Sequence, residues 1–194
     1  PSRRAYVRRI LISGNNRTRD EVIRREFRQY EASWYDAEKI KLSRDRVDRL
    51  GYFTNVGIET QDVAGSPDQV DLVINVDEKP TGSLQLGAGF SSAEKIALSF
   101  SIKQDNVFGS GNYLGVDVNT SKYRRTLVFS TTDPYFTQSG ISRTFDLYYR
   151  TDKPYQDQGG NYELVTTGTS LRFGVPFSEV DTVFFGGGLE QTKI

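Results

Sequence analysis

From residue 83 onward apolar and polar residues alternate along the chain: Leu84, Leu86, Ala88 and Phe90 against Ser83, Gln85, Gly87 and Gly89, then Ile96, Leu98, Phe100 and Ile102 against Ala97, Ser99, Ser101 and Lys103. Only a strand sends successive side chains to opposite faces, so this period of two commits the segment to β-structure with one apolar and one polar face. Leu114, Val116 and Val118 repeat it against Gly115, Asp117 and Asn119, and further strands fit 125–132, 144–151, 162–173 and 180–191, the last two with weaker patterns. About seven strands result, joined by turns such as N-V-F-G-S-G-N, D-P-Y-F-T-Q-S-G and Q-D-Q-G-G-N.

The stretch before Pro80 has a different texture. Residues 1–80 carry 29 charged side chains and 4 glycines, residues 81–194 carry 21 and 14, so two domains are expected, 1–80 and 81–194. The formal net charge is zero with both signs interspersed, which removes the electrostatic drive for nucleic-acid binding. Arg8 and Arg9, like Arg24, Arg25 and Arg28, have nearby acids and read as a solvated face. There is no His and no Cys, so Ser-His-Asp and Cys-His catalysis, CxxC redox chemistry and ordinary zinc sites are excluded, and no cofactor is expected. No apolar run is long enough for a transmembrane helix, and no signal segment stands at Pro1, which suggests a mature or trimmed piece.

Within the first domain, residues 6–12 (Y-V-R-R-I-L-I) read as a strand ended by the turn Ser13-Gly14-Asn15-Asn16. Thr18-Arg19-Asp20-Glu21 matches a capping box, and the helix after it should turn Val22, Ile23 and Phe27 inward. A second helix fits 36–50, with Ala37, Ile40, Val47 and Leu50 on one face and Gly51 supplying a left-handed stop. Strands at 56–61 and 70–77 follow, around the turn Ala64-Gly65-Ser66-Pro67-Asp68, so the order is β-α-α-β-β. Trp34 is expected to pack against the helix pair. Asp45 and Asp48 lie beside Arg44, Arg46 and Arg49 on a charged helix face, where pairing one turn apart explains them without catalysis. Gly109-Ser110-Gly111 with Gly115 lacks the strand-to-helix context of a nucleotide loop and reads as a hairpin turn.

One apolar and one polar face also describes a soluble sandwich. Two details favour a membrane barrel: aromatics near strand ends (Phe108, Tyr113, Tyr123, Tyr135, Phe136, Tyr155, Phe177), and a polar face rich in small residues that carries Asp117, Asp146 and Arg172. The motif V-x-x-I-x-I-x-G from Val7, the helix end R-L-G-Y-F and the segment G-S-P-D-Q-V-D resemble a POTRA domain, a non-catalytic binding module. D-N-V-F-G-S-G-N at 105–112 and D-P-Y-F-T-x-x-G-x-S at 133–142 resemble periplasmic turn motifs of the Omp85 family, directly after that domain. The expected fold is therefore an α+β POTRA domain followed by an antiparallel transmembrane β-barrel segment of about seven strands.

The resemblance implies a bacterial outer-membrane location, with the POTRA domain in the periplasm, and assembly of outer-membrane β-barrels without nucleotide or covalent chemistry. It implies three kinds of partner: unfolded outer-membrane clients, outer-membrane lipid and the machinery's lipoproteins, BamD foremost. Glu31, in R-Q-Y-E-A-S-W, falls where the family places an acid that contacts BamD, while the residues alone also fit a solvated loop carboxylate. The family's template for client strands is the first barrel strand, here Ser83, Leu84, Gln85, Leu86, Gly87, Ala88, Gly89 and Phe90. Gly87 and Gly89 suit a weak, openable seam, and they equally suit curvature at a barrel edge. An Omp85-type secretion pore and a passive porin-like barrel are the alternatives. The family's several POTRA domains and larger barrel make a fragment the expectation.

Overall fold

The computed structural model describes residues 4–153 and 162–194, so Tyr155 and the turn Q-D-Q-G-G-N lie outside the described residues. The chain forms two compact units. One holds residues 1–81 together with Phe108–Gly111, and the other holds Gly82–Val107 and Asn112–Ile194.

The first unit is a mixed sheet carrying two helices. Strand β1 (Tyr6–Ser13) leads to α1 (Asp20–Arg24), then to a two-residue strand β2 (Ser33–Trp34), α2 (Ala37–Arg49), β3 (Phe53–Val63) and β4 (Ser66–Glu78), in the sheet order β2-β1-β4-β3. The central pair β1 and β4 is parallel, and the flanking pairs are antiparallel. A register shift between Val7 and Arg9 lets Val7 and Ile10, three residues apart, face the same side. There they meet Leu72, Ile74 and Val76 of β4, Val22 and Ile23 of α1, Phe27 and Val47. Each such side chain removed from water contributes about 1.5–3 kcal/mol before entropy is subtracted.

Helix α2 begins as expected, with the Asp36 carboxylate accepting the Glu38 and Lys39 amides at 3.0 and 3.4 Å, and Gly51 after it takes φ +75°. Its inner face is Ile40, Ser43, Val47 and Leu50, and Ala37 is exposed. The capping box does not form. Thr18 is buried and its amide donates to Glu78 at 2.7 Å, so Arg19 takes the cap position without a side-chain bond, and Glu21 pairs loosely with Arg19 at 3.8 Å. Helix α1 accordingly spans one turn, and Phe27 reaches the core from the turns that follow. The β3–β4 turn is also tighter than expected, reduced to Ala64 and Gly65.

The second unit is one antiparallel sheet of seven strands in sequence order: β5 (Gly82–Ser91), β6 (Lys95–Gln104), β7 (Tyr113–Thr120), β8 (Arg124–Asp133), β9 (Ser142–Asp152), β10 (Leu164–Pro176) and β11 (Thr182–Lys193). The register sorts side chains as the alternation requires: Leu84, Ile102, Val116, Phe129 and Leu147 form one continuous apolar row across five strands. Opposite them lie carboxylates with hydroxyl donors, Ser101 to Asp117 at 2.5 Å, Ser170 to Asp146 at 3.1 Å and Tyr148 to Glu190 at 2.5 Å. Tyr113 belongs to this polar side, over Gly115, and not to an aromatic rim. Among the described residues no helix is long and apolar enough to cross a membrane, which says nothing about strands.

Candidate sites for strand pairing and partner contact

An end strand of a sheet keeps one row of main-chain donors and acceptors unused, and β5 is such a strand. Ten register pairs tie it to β6, from Gly82 opposite Gln104 to Ser91 opposite Lys95, and no described strand covers its other edge. Successive amides of an antiparallel strand point to alternate sides, so every second residue among 83–90 presents its N–H and C=O outward. All ten residues of β5 are exposed, with Leu86 at 75% and Phe90 at 76%. The sheet's other end strand, β11, is equally exposed and was not singled out by its sequence.

The two glycines of β5 differ in what surrounds them. A Cβ at Gly87 would run into the Ser99 hydroxyl opposite, whereas nothing lies within 4 Å of a Cβ at Gly89. Neither adopts a positive φ. The close contact at Gly87 is with a rotatable hydroxyl alone and Gly89 meets no atom, so neither position needs glycine to avoid main chain.

Glu31 sits where β2 stops pairing with β1. The loop before it is held from inside: the Ser43 hydroxyl accepts the amides of Arg28 and Gln29 at 2.8 and 3.2 Å, and the buried Gln29 side chain donates to the Trp34 carbonyl at 3.0 Å and accepts the Asp36 amide at 2.9 Å. Ala32 follows with φ +58°, and its amide returns to the Val7 carbonyl at 2.8 Å. This path sets the Glu31 carboxylate to accept the Ile10 amide at 2.9 Å and to pair with Arg24 at 3.4 Å. The side chain remains 48% exposed. Trp34 is 57% exposed, edge-on to Tyr6 at 5.4 Å, because Gln29 ties its main chain to the sheet's outer edge and away from the helix pair. Ser43 and Gln29 carry no sequence signal beyond a polar residue on an otherwise apolar face.

Two carboxyls in this unit hold low proton affinities. Burial opposes the charge of Glu78, but the amides of Thr18 and Arg17 outweigh it and keep the carboxyl below the ordinary range. Asp71 is held low by its forked bonds from Arg8, 2.9 and 2.5 Å long, in an exposed pair on the sheet's outer side. Among the described residues no group of three or more Asp or Glu could hold a metal ion. Neither β5 nor the Glu31 loop assembles a nucleophile with a base; what both offer is hydrogen-bonding surface.

Comparison with known proteins matches residues 5–79 to POTRA, the surface antigen variable number repeat, and residues 106–194 to the Omp85 superfamily domain. The outer membrane protein assembly factor BamA of Neisseria meningitidis is 42% identical over 188 residues, which is 96% of this chain and 24% of that protein. The structure of BamA from Haemophilus ducreyi lacking POTRA domains 1–3 superposes with a TM-score of 0.81 at 32% identity, over 97% of this chain and 36% of that one. CdiB from Acinetobacter baumannii shares the fold, with a TM-score of 0.60 at 11% identity, over 98% of this chain and 39% of that one. The chain thus spans about a quarter of the length of the Neisseria protein that it matches.

Proposed function

Since the chain belongs to the Omp85 superfamily, with a POTRA domain ahead of its barrel strands, we propose that the protein containing it folds and inserts outer-membrane β-barrels, using β5 as a template for client strands and neither nucleotide nor covalent chemistry. The observation that carries the reading is the place of β5, the first strand of the antiparallel sheet and directly after the POTRA domain. A client strand entering lipid must pair its main-chain groups, and a row of free N–H and C=O groups at the edge of a membrane sheet supplies that pairing without chemistry. The POTRA domain works in the periplasm, the barrel strands in the outer membrane. Glu31 serves as an anionic contact for a partner lipoprotein, BamD in the assembly factors that the chain resembles, with a half-exposed carboxylate held in a fixed place. The secretion-pore alternative has only a shared fold in its favour, and a passive pore gives no use for a POTRA domain.

Proline scanning of residues 83–90 in the full-length protein tests the template. Proline deletes one donor and fixes φ, so among variants that still fold, those at outward-pointing amides should slow client insertion into liposomes with a period of two along the strand. Normal insertion by folded, outward-facing proline variants sinks the template and reassigns the glycines to curvature.

A further inference from the structure

We propose that Arg125 and Lys122, with the exposed Thr120 beside them, form a site for the phosphate of an anionic lipid headgroup at the outward margin of the seven-stranded sheet. This rests on the reading that the sheet's apolar face meets lipid. The adjacent arginines Arg124 and Arg125 make the case, because strand alternation sends them to opposite faces. On the polar face Arg124 donates to Asp152 at 2.7 Å, and Arg150 approaches the same carboxylate at 3.4 Å. On the apolar face Arg125 is exposed and has no hydrogen bond or ion pair among the described residues.

Its surroundings suit an anion. The register places Arg125 between the exposed Thr120 of β7 and the buried Thr151 of β9, so no acidic side chain stands beside it on the neighbouring strands. Lys122 stands in the preceding turn with its ammonium 5.3 Å from the centre of the Tyr123 ring. Two residues further along the same face lie Val118, Leu127 and Tyr149, an apolar row. Lipid tails would meet that row, and the charged margin would then stand at headgroup depth. A cation beside hydrocarbon is costly unless it reaches a counter-charge, and a guanidinium fork fits phosphate oxygens in pairs.

The charge pattern of the sheet agrees. Among the described residues at the end away from Gly82, Lys95, Lys122, Arg124, Arg125, Lys153 and Lys193 outnumber Glu94, Asp152 and Glu163, whereas the opposite end carries Asp105, Asp133, Glu179 and Asp181 against Lys103 and Arg143. The cations therefore gather where outward-leaflet headgroups would lie, and Arg125 is the one that the strand register sets on the apolar side.

The test uses the full-length protein reconstituted into phosphatidylcholine liposomes doped with phosphatidylglycerol. Urea-resistant insertion is measured first, then phosphatidylglycerol retained after detergent extraction, by native mass spectrometry. Arg125→Gln and Lys122→Gln should each lower retention about fivefold, in line with roughly 1 kcal/mol per surface cation, with Arg125→Lys between wild type and Arg125→Gln because it keeps the charge and loses the fork, and Arg124→Gln unchanged. Equal retention in Arg125→Gln and wild type, or an equal loss in Arg124→Gln, overturns the site while the membrane reading stands. Stripping of the lipid by inorganic phosphate overturns the commitment to a headgroup. A wild-type protein that fails to insert overturns the membrane reading itself, and the site with it.

Discussion

Glu31 Oε1 lies 2.9 Å from the amide nitrogen of Ile10, in the place where a neighbouring strand's carbonyl would stand had β2 continued. Arg24 completes the substitution. It donates to the Ile10 carbonyl at 3.0 Å and pairs with Glu31, so one ion pair satisfies both main-chain groups of a residue on a sheet edge. The proposed lipoprotein contact is thus also part of the fold.

That dual role separates two substitutions. Glu31→Gln keeps an acceptor for Ile10 and removes the charge; Glu31→Lys removes both, and should cost about 1 kcal/mol of POTRA stability. Thermal unfolding and co-purification of the partner lipoprotein should therefore diverge: Gln weakens recruitment with little change in melting, and Lys weakens both. Unchanged recruitment by Glu31→Gln would show that the carboxylate serves the fold alone.

Acid should loosen the first unit through Glu78. Its folded carboxyl binds protons more weakly than in the unfolded chain, so the stabilisation is fully present above the ordinary glutamate range and is lost as pH falls through the lower, folded value. Glu78→Gln should cost about 1 kcal/mol at neutral pH and flatten the acid limb of a stability curve measured by chemical denaturation. A parallel acid limb in the variant assigns that limb to other carboxyls.

Glu26 and Arg46 form a pair at 2.9 Å whose side chains are only 7% and 17% exposed. Arg46→Met leaves a buried carboxylate without its cation and should destabilise the domain by about 3 kcal/mol, while the double change with Glu26→Leu recovers much of the loss. Denaturant titration of the single and double variants measures the difference directly. Equal stability of Arg46→Met and wild type would place the carboxylate in contact with water.

Nothing near Gly89 opposes a side chain, so Gly89→Val should leave the β5–β6 pairing intact, whereas Gly87→Val must turn the Ser99 hydroxyl aside. If backbone freedom at the seam assists client entry, Gly89→Val slows insertion severalfold in a normally folded barrel. An unchanged rate means that β5 pairs with clients without needing glycine there.

The second unit exposes an apolar face and two unpaired edges, from Leu84, Leu86 and Phe90 on β5 to Leu189 on β11. The chain isolated in aqueous buffer should therefore keep a folded first unit and hold its sheet in solution only with detergent, lipid or self-association. Analytical ultracentrifugation with and without detergent gives the answer. A detergent-free monomer with a fully protected sheet would favour a soluble sandwich.

Short-range sterics made part of this fold legible from residue order. Alternation named seven strands and assigned faces that the register then paired, because a strand's side-chain direction is set by its own backbone. Asp36 capped α2 and Gly51 ended it for equally local reasons. The tertiary structure alone decided where main-chain groups far apart in sequence would find partners. Thr18 fits a capping box locally, yet Glu78, sixty residues on, takes its amide. The residues at 29–36 show no period, and β2 exists because Gln29 and Ser43, buried by helix packing, bring Ser33 beside Val7 and leave Glu31 opposite Ile10. Arg124 and Arg125 are equal as letters; only strand pairing sets Asp152 beside the first and threonines beside the second. Such partnerships depend on burial, which removes water as the competing partner, and burial belongs to the assembled fold.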